Sequence, residues 1–469
     1  MKKIIVLLLI LIIGFINNPI IFGGPVTDNK GWTNTEVVST ESTKSAYRAV
    51  LDVDQNGTVH IAWKDNTNYG GSGSDWDIFY KMKPRDGNWT TTEVVSTEST
   101  EDSDCLFLDV DQSGTVHIVW KDKTNFSNSG PDNDIFYKKK PKDGSWTLTE
   151  VVSSESFRDC GCPSLAVDKD YSVHFIWPDL TDFTGFDDEY DIFYKKETKD
   201  GSWTKAELVS SETIKSALKT SVAIDPFNTV HVVWEEETYF GNFGYYYHIF
   251  YKNKPLGGNW TETELVTTES TSDSLSPFFI VDSLGTLHLA WADKTNYLNS
   301  GGNYNIFYKK KPLNENWTTT EVVSTESINN CNWPSLAVDK NQTVHIVWSE
   351  LSDSTRNDEI FYKKKTKDGS WTKAELVSSE SKSNSYFPSI AVDIYGIVHV
   401  SWWDEPFDNA VVYYKEKYPE FDQSSVGDGD ADDNSGSIDD ESTKTPGFEF
   451  VLFICTLAIV YLYKRRSYS

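Results

Sequence analysis

Seven histidines recur at one place in a repeated motif: His60, His117, His174, His231, His288, His345 and His399, spaced 57 residues apart five times and then 54. Each lies in a segment such as GTVHIVWKD (114–122), with a Trp three residues on and, in that segment, an Asp two beyond it. An imidazole so placed can transfer protons, ligate a metal or hydrogen-bond inside a core. Repetition separates these roles. A catalytic or metal centre is built once, whereas a group present in every unit serves something every unit needs. The histidines are therefore read as scaffold. The expected partner is a backbone carbonyl or the repeated Asp of the AVD segment (Asp168, Asp225, Asp339, Asp393 and equivalents). A partner is required because an unsatisfied buried polar group costs about 1–3 kcal/mol. No metal site is expected.

The elements that must hold these residues are strands. In the third unit they read PSLAVD (163–168), VHFIW (173–177), DIFYKK (191–196) and SWTKAELV (202–209), rich in β-branched and aromatic residues and punctuated by Gly, Asp, Asn and Ser. Four strands per repeat of this length describe a propeller blade. The W-T segment occurs at Trp32, Trp89, Trp146, Trp203, Trp260, Trp317 and Trp371, once before the first complete unit and never after the last, which ends at VVYYKEK (411–417). A closed ring explains the offset. WTNTEVV (32–38) supplies the outermost strand of the last blade and removes the open edge. The expectation is an all-β, seven-bladed β-propeller over 32–418, with four strands per blade.

A binding site should then lie where the repeat is broken. Short turns such as VDQSGTVH (110–117) and KKPKDGSW (139–146) alternate with longer connections such as KDNTNYGGSGSDWD (64–77), EEETYFGNFGYYYH (235–248) and STESTEDSDC (96–105). Alternate connections of a meander emerge on one side, so the long loops share a face around the central opening. They carry Tyr69, Trp76, Phe186, Tyr245, Tyr246, Tyr247, Tyr297 and Tyr304 as candidate ligand-binding residues, with Phe126, Tyr239, Phe240 and Phe243 beside them. Aromatic plates among amides and carboxylates suit sugars, whose ring faces stack while their hydroxyls hydrogen-bond.

The turns KDGSWT (142–147, 199–204 and 367–372) resemble degenerate Asp-boxes of the sialidase-like, BNR-repeat propellers, a likeness that extends over 32–418. The resemblance implies a propeller and raises an exo-sialidase-like glycoside hydrolase as the rival to simple binding. Members of that family hold a carboxylate with three arginines. Arg48, Arg158 and Arg356 fall in or beside the long-loop face on three blades, while Arg85 lies in a short turn on the opposite face. Arg48 and Arg158 are candidate ligand contacts; Arg356 belongs to an outer loop. No Phe-Arg-Ile-Pro segment precedes any of them, and no acid–base pair stands out among the 71 acidic residues.

Cys105 aligns with Cys162 one blade on, so a disulfide from Cys105 to Cys160 or Cys162 is expected in an extracellular chain, with Cys331 left odd. Six N-x-[ST] sequons, at Asn56, Asn88, Asn125, Asn259, Asn316 and Asn341, are candidate glycosylation sites. No cofactor is expected. Calcium is the one ion left open, since Asp430, Asp432, Asn434 and Glu441 fall at calcium-loop spacing, but Ser435 replaces the turn glycine and the stretch reads as linker.

The ends set the placement. Residues 1–23 combine two lysines, a long apolar run and small residues, the order of a secretory signal peptide. Residues 419–445 form a flexible acidic linker. Within 446–469, the apolar run from Phe448 to Tyr463 precedes Lys464, Arg465 and Arg466, read as a transmembrane helix with a basic cytoplasmic tail. The TPGFEF start, apolar run and basic end resemble the PGF-type sorting signals of archaeal surface proteins. With a net charge of -28, nucleic acid is a poor partner. The expected protein is anchored by a single pass at the extracellular face of the membrane and binds glycans or surface proteins.

Overall fold

The computed structural model describes residues 27, 28, 30–181, 189–212, 215–239, 245–366, 368–406 and 409–419. The readings of 1–23 as signal, of 419–445 as linker and calcium candidate (all but residue 419), and of 446–469 as anchor lie outside these residues. Among the described residues no helix is long and apolar enough to cross a membrane.

Seven four-stranded antiparallel sheets form the blades, six of them in simple chain order. The seventh joins Ser385–Val392, Val398–Asp404 and Val411–Lys417 to Glu36–Val37 from the start of the chain, with Glu36 opposite Tyr414 and Val37 opposite Tyr413. The ring closes as the offset of the W-T segments requires. The outermost strand is shorter than SWTKAELV suggests. In blade 3 only Glu207–Leu208 pairs regularly, after an isolated bridge between Trp203 and Glu197. The Trp side chain is spent on the neighbouring blade instead, as in the Nε1–H donated by Trp203 to Glu150 at 3.0 Å and by Trp146 to Glu93 at 2.9 Å.

The histidines are scaffold. Each Nδ1 lies 2.6–2.8 Å from the hydroxyl of the Tyr in its blade's third strand, from His60 with Tyr80 to His399 with Tyr414. In six blades Nε2 also lies within 3.8 Å of the expected Asp, from His174 with Asp168 at 3.1 Å and His288 with Asp282 at 3.2 Å to His345 with Asp339 at 3.8 Å. Burial pushes His60 down to about 4, so its ring is neutral and its Nδ1 can accept the Tyr80 O–H. The same Asp holds the short turn. Asp111 Oδ1 accepts the N–H groups of Ser113 and Thr115, and these bonds with His117 outweigh burial and hold its carboxyl at about 2.

A second belt was not legible as such in DIFYKK. The Lys after the Tyr of that strand is buried in every blade and donates to a carbonyl of the preceding blade. Lys81 reaches Val38 O at 2.8 Å, Lys138 Val95 O at 2.8 Å, Lys195 Val152 O at 2.9 Å and Lys309 Val266 O at 2.8 Å. Each also pairs with the glutamate of an [ST]-x-E turn, as Lys138 does with Glu98 at 2.5 Å. Seven such lysines are at most 4 % exposed, so burying charge at the blade junctions is part of the design.

Candidate functional site at the axial mouth

The innermost strand of each blade lines the axis and begins on the long-loop face. In six blades this strand is bulged near its start, and the bulge holds one non-glycine residue in the left-handed region: Arg48 (φ 50°), Cys105 (51°), Lys219 (45°), Ser276 (54°), Trp333 (49°) and Phe387 (47°). Such a backbone costs an ordinary residue about 1–2 kcal/mol, and bulges characteristically re-aim a side chain. Blade 3 differs. There Gly161 lies against Pro178, where a Cβ would meet the ring at 2.9 Å, the innermost strand starts only at Ser164, and Cys162 takes the register position. The seven positions, separated by 57 residues five times and then 54 like the histidines, line one cavity of about 270 Å³. This is near the lower end of ligand-pocket sizes.

The ring is divided chemically. On blades 6, 7 and 1 it is aromatic. Trp333 stacks on Phe387 at 4.2 Å and 24°, and a wall continues through Tyr386, Trp403, Tyr47 and Trp76, with successive ring centroids 4.6–5.6 Å apart from Trp333 to Trp76. Arg48 caps this side, its guanidinium 5.1 Å from the Phe387 ring and 3.7 Å from Asp104. The basic residues of the ring are Arg48 on blade 1 and Lys219 on blade 4, and Lys64 of blade 1 and Lys121 of blade 2 lie near them outside the cavity lining. Lys64 is paired with Asp104 at 3.0 Å, and burial, with the nearby charges of Arg48 and Lys219, lowers the Lys121 ammonium from its ordinary range. Lys219 is exposed and makes no ion pair among the described residues. A chain of net charge -28 thus gathers cations at its axis.

Glu235 closes the basic side. It is buried, accepts the Ser276 N–H at 2.7 Å, and burial pushes its carboxyl up to about 7 despite that bond and the charge of Lys219. Deeper along the axis a second cavity of about 410 Å³ is lined mostly by apolar side chains, with Asp52 and Asp109 at one register of blades 1 and 2. Asp52 accepts the Val110 N–H and Asp109 the Val167 N–H, both at 2.9 Å. Burial and then the Asp109 charge push Asp52 up to about 8, so the pair holds a proton at neutral pH.

Of the residues expected to meet a ligand, Arg48 lines the cavity and Trp76 ends the aromatic wall. Tyr247 and Tyr304 stand beside Asp273: the Tyr247 N–H donates to it at 3.2 Å and the Tyr304 hydroxyl at 3.5 Å. Tyr69 and Tyr297 pack under their own loops on Phe79 and Phe307, as Phe126 does on Phe136. Tyr245 is exposed and Tyr246 half-buried. Arg158 is half-buried near Tyr190 and Arg356 is exposed in the outer loop of blade 6; neither lines the cavity, so the three arginines do not meet there. Phe186 lies outside the described residues. The disulfide joins Cys105 to Cys162, and Cys160 and Cys331 are free and buried. All six sequon asparagines are exposed. Among the described residues no cluster of three or more His, Cys, Asp or Glu could hold a metal ion. Lys121, Lys219, Glu235, Trp333 and Phe387 were missed, although counting 57 residues on from Arg48 finds Lys219 and Trp333 directly.

No family model and no curated protein matches the chain. Solved structures do resemble it in fold. A protein of unknown function from Dyadobacter fermentans is 11% identical, with 83% of this chain and 100% of that one covered and a TM-score of 0.48. The polysaccharide lyase Uly1 is 10% identical over 85% and 94%, with a TM-score of 0.49. A leech intramolecular trans-sialidase is 10% identical over 84% and 70%, with a TM-score of 0.42. At this identity the likeness is one of fold, that of a β-propeller.

Proposed function

We propose that this chain is a cell-surface binding protein whose site is the long-loop mouth of the propeller axis and whose ligand is an acidic glycan. One observation carries the reading. At a single register, six innermost strands adopt a left-handed bulge to aim a side chain at the axis, and the residue presented differs in nearly every blade. Packing alone would favour one repeated solution, as it does for the histidines. Arg48 and Lys219 offer charge to a carboxylate or sulfate, and Trp333 with Phe387 offers an apolar face to a sugar ring. A signal at 1–23, a linker at 419–445 and an anchor at 446–469 would hold this site outside the cell.

The rival is a sialidase-like glycoside hydrolase, and Glu235 is the observation in its favour. A carboxyl half-protonated near pH 7 beside a small-ligand cavity suits general acid–base work. A glycan array probed with the full chain in detergent separates these readings. Selective retention of acidic glycans, weakened at least tenfold by Arg48→Ala with Lys219→Ala and without turnover, is the expected result. Turnover abolished by Glu235→Gln would establish the enzyme. Retention of neutral glycans alone, or of none, would overturn the acidic-glycan reading.

A further inference from the structure

Blade 4 has the longest strands. Its second and third strands, Val230–Tyr239 and Tyr245–Lys254, run for ten residues each, where most of their counterparts have seven. The extra length is regular pairing, with Glu237 opposite Tyr247, Thr238 opposite Tyr246 and Tyr239 opposite Tyr245. Side chains alternate along a strand, so Tyr239, Tyr245, Glu237 and Tyr247 share the ribbon face that carries Glu235 at the mouth. Four residues of strand place the Tyr pair about 13 Å beyond Glu235, farther than one sugar unit in the cavity reaches.

The pair is unlike the other loop aromatics. Tyr69, Phe126 and Tyr297 fold back onto their own blades, whereas Tyr239 and Tyr245 are 61% and 58% exposed. Their rings lie 5.3 Å apart at 57°, directly opposite one another across the ribbon. Regular backbone pairing thus holds two large rings open to solvent, on the face that also carries Glu237 and near Lys215 of the Lys215–Glu189 ion pair. Rings held open on a stiff ribbon suit stacking on the flat face of a sugar.

We infer that this ribbon is a second sugar-binding subsite, so that the ligand is a glycan chain of several units running from the axial mouth to Tyr239 and Tyr245. The inference rests on the reading of the mouth as an acidic-glycan site. The probes are acidic oligosaccharides from monomer to octamer, made from galacturonate, alginate and polysialate, titrated calorimetrically against the full chain in detergent. In the series that binds, affinity rises tenfold or more with length, and Tyr239→Ala with Tyr245→Ala removes that gain while leaving monomer affinity unchanged. Arg48→Ala with Lys219→Ala weakens every length. Affinity independent of length, or a gain that survives the double tyrosine variant, overturns the subsite and leaves the mouth standing. No binding at any length in any series overturns the mouth reading and the subsite with it.

Discussion

The blade junctions and the axial mouth are built from the same repeat but obey opposite rules. At the junctions the His–Tyr pair and the buried Lys recur in all seven blades. At the mouth one register carries Arg, Cys, Lys, Ser, Trp and Phe. Every junction must bury the same surface and satisfy the same carbonyl, so each substitution there is penalised alike. Apart from the Cys105–Cys162 disulfide that ties blades 2 and 3, the mouth contributes little to the ring's closure, and its left-handed backbone even costs stability. Uniformity marks what holds the ring together, and variation at a fixed register marks what the ring presents.

That contrast can be broken by measurement. Removing the Cys105–Cys162 disulfide, which closes 57 residues of sequence, should cost about 2–4 kcal/mol and leave the remaining blades folded. A site within the mouth would thereby be shown to support the scaffold too. Lys138→Met should cost about 1–3 kcal/mol in denaturant unfolding, since it leaves the buried Val95 carbonyl without its donor, while Glu98 keeps the hydroxyls of Thr97 and Thr149. Lys195→Met and Lys309→Met should cost about as much, and a cost confined to one blade would contradict a uniform scaffold.

A smaller effect should follow pH. Asp52 has a folded pKa of about 8, above its ordinary value, so the folded state holds a proton that the unfolded chain releases. Its contribution is complete below about pH 4 and is lost as pH rises towards about 8. Asp52→Asn should flatten that slope and raise the melting temperature at pH 8 by several degrees. An unchanged slope would remove the shared proton. The smallest change in stability belongs to Lys219→Gly. Relieving a left-handed residue at φ 45° should leave stability unchanged or raise it by up to about 1 kcal/mol, while affinity for acidic glycan falls about tenfold. A clear loss of stability would make the bulge a structural necessity.

Blade number, strand order and ring closure were legible because they follow from period and count. The W-T segment appears before the first complete unit and not after the last, and only a closed ring accommodates that. The scaffold role of the histidines was legible for the same reason, and one of their two partners, the AVD aspartate, was named from the repeat. The Tyr partner was not, because it sits 15–20 residues away from its His in six-residue strand segments that read simply as core. Loop aromatics were read by type and place, and type did not distinguish Tyr69, folded onto Phe79, from Tyr245, open to solvent.

The sequence by itself determined which residues repeat, and therefore the ring and its buried junctions, since burial of identical surfaces imposes identical residues. Only the tertiary structure decided which non-repeating residues meet. Arg48, Lys219 and Trp333 lie 171 and 114 residues apart in the chain, and they share a cavity because closure of the ring brings one register of every blade to the same axis. Arg158 and Arg356 are as basic as Arg48 but lie off that register, so the closing of the ring leaves them outside.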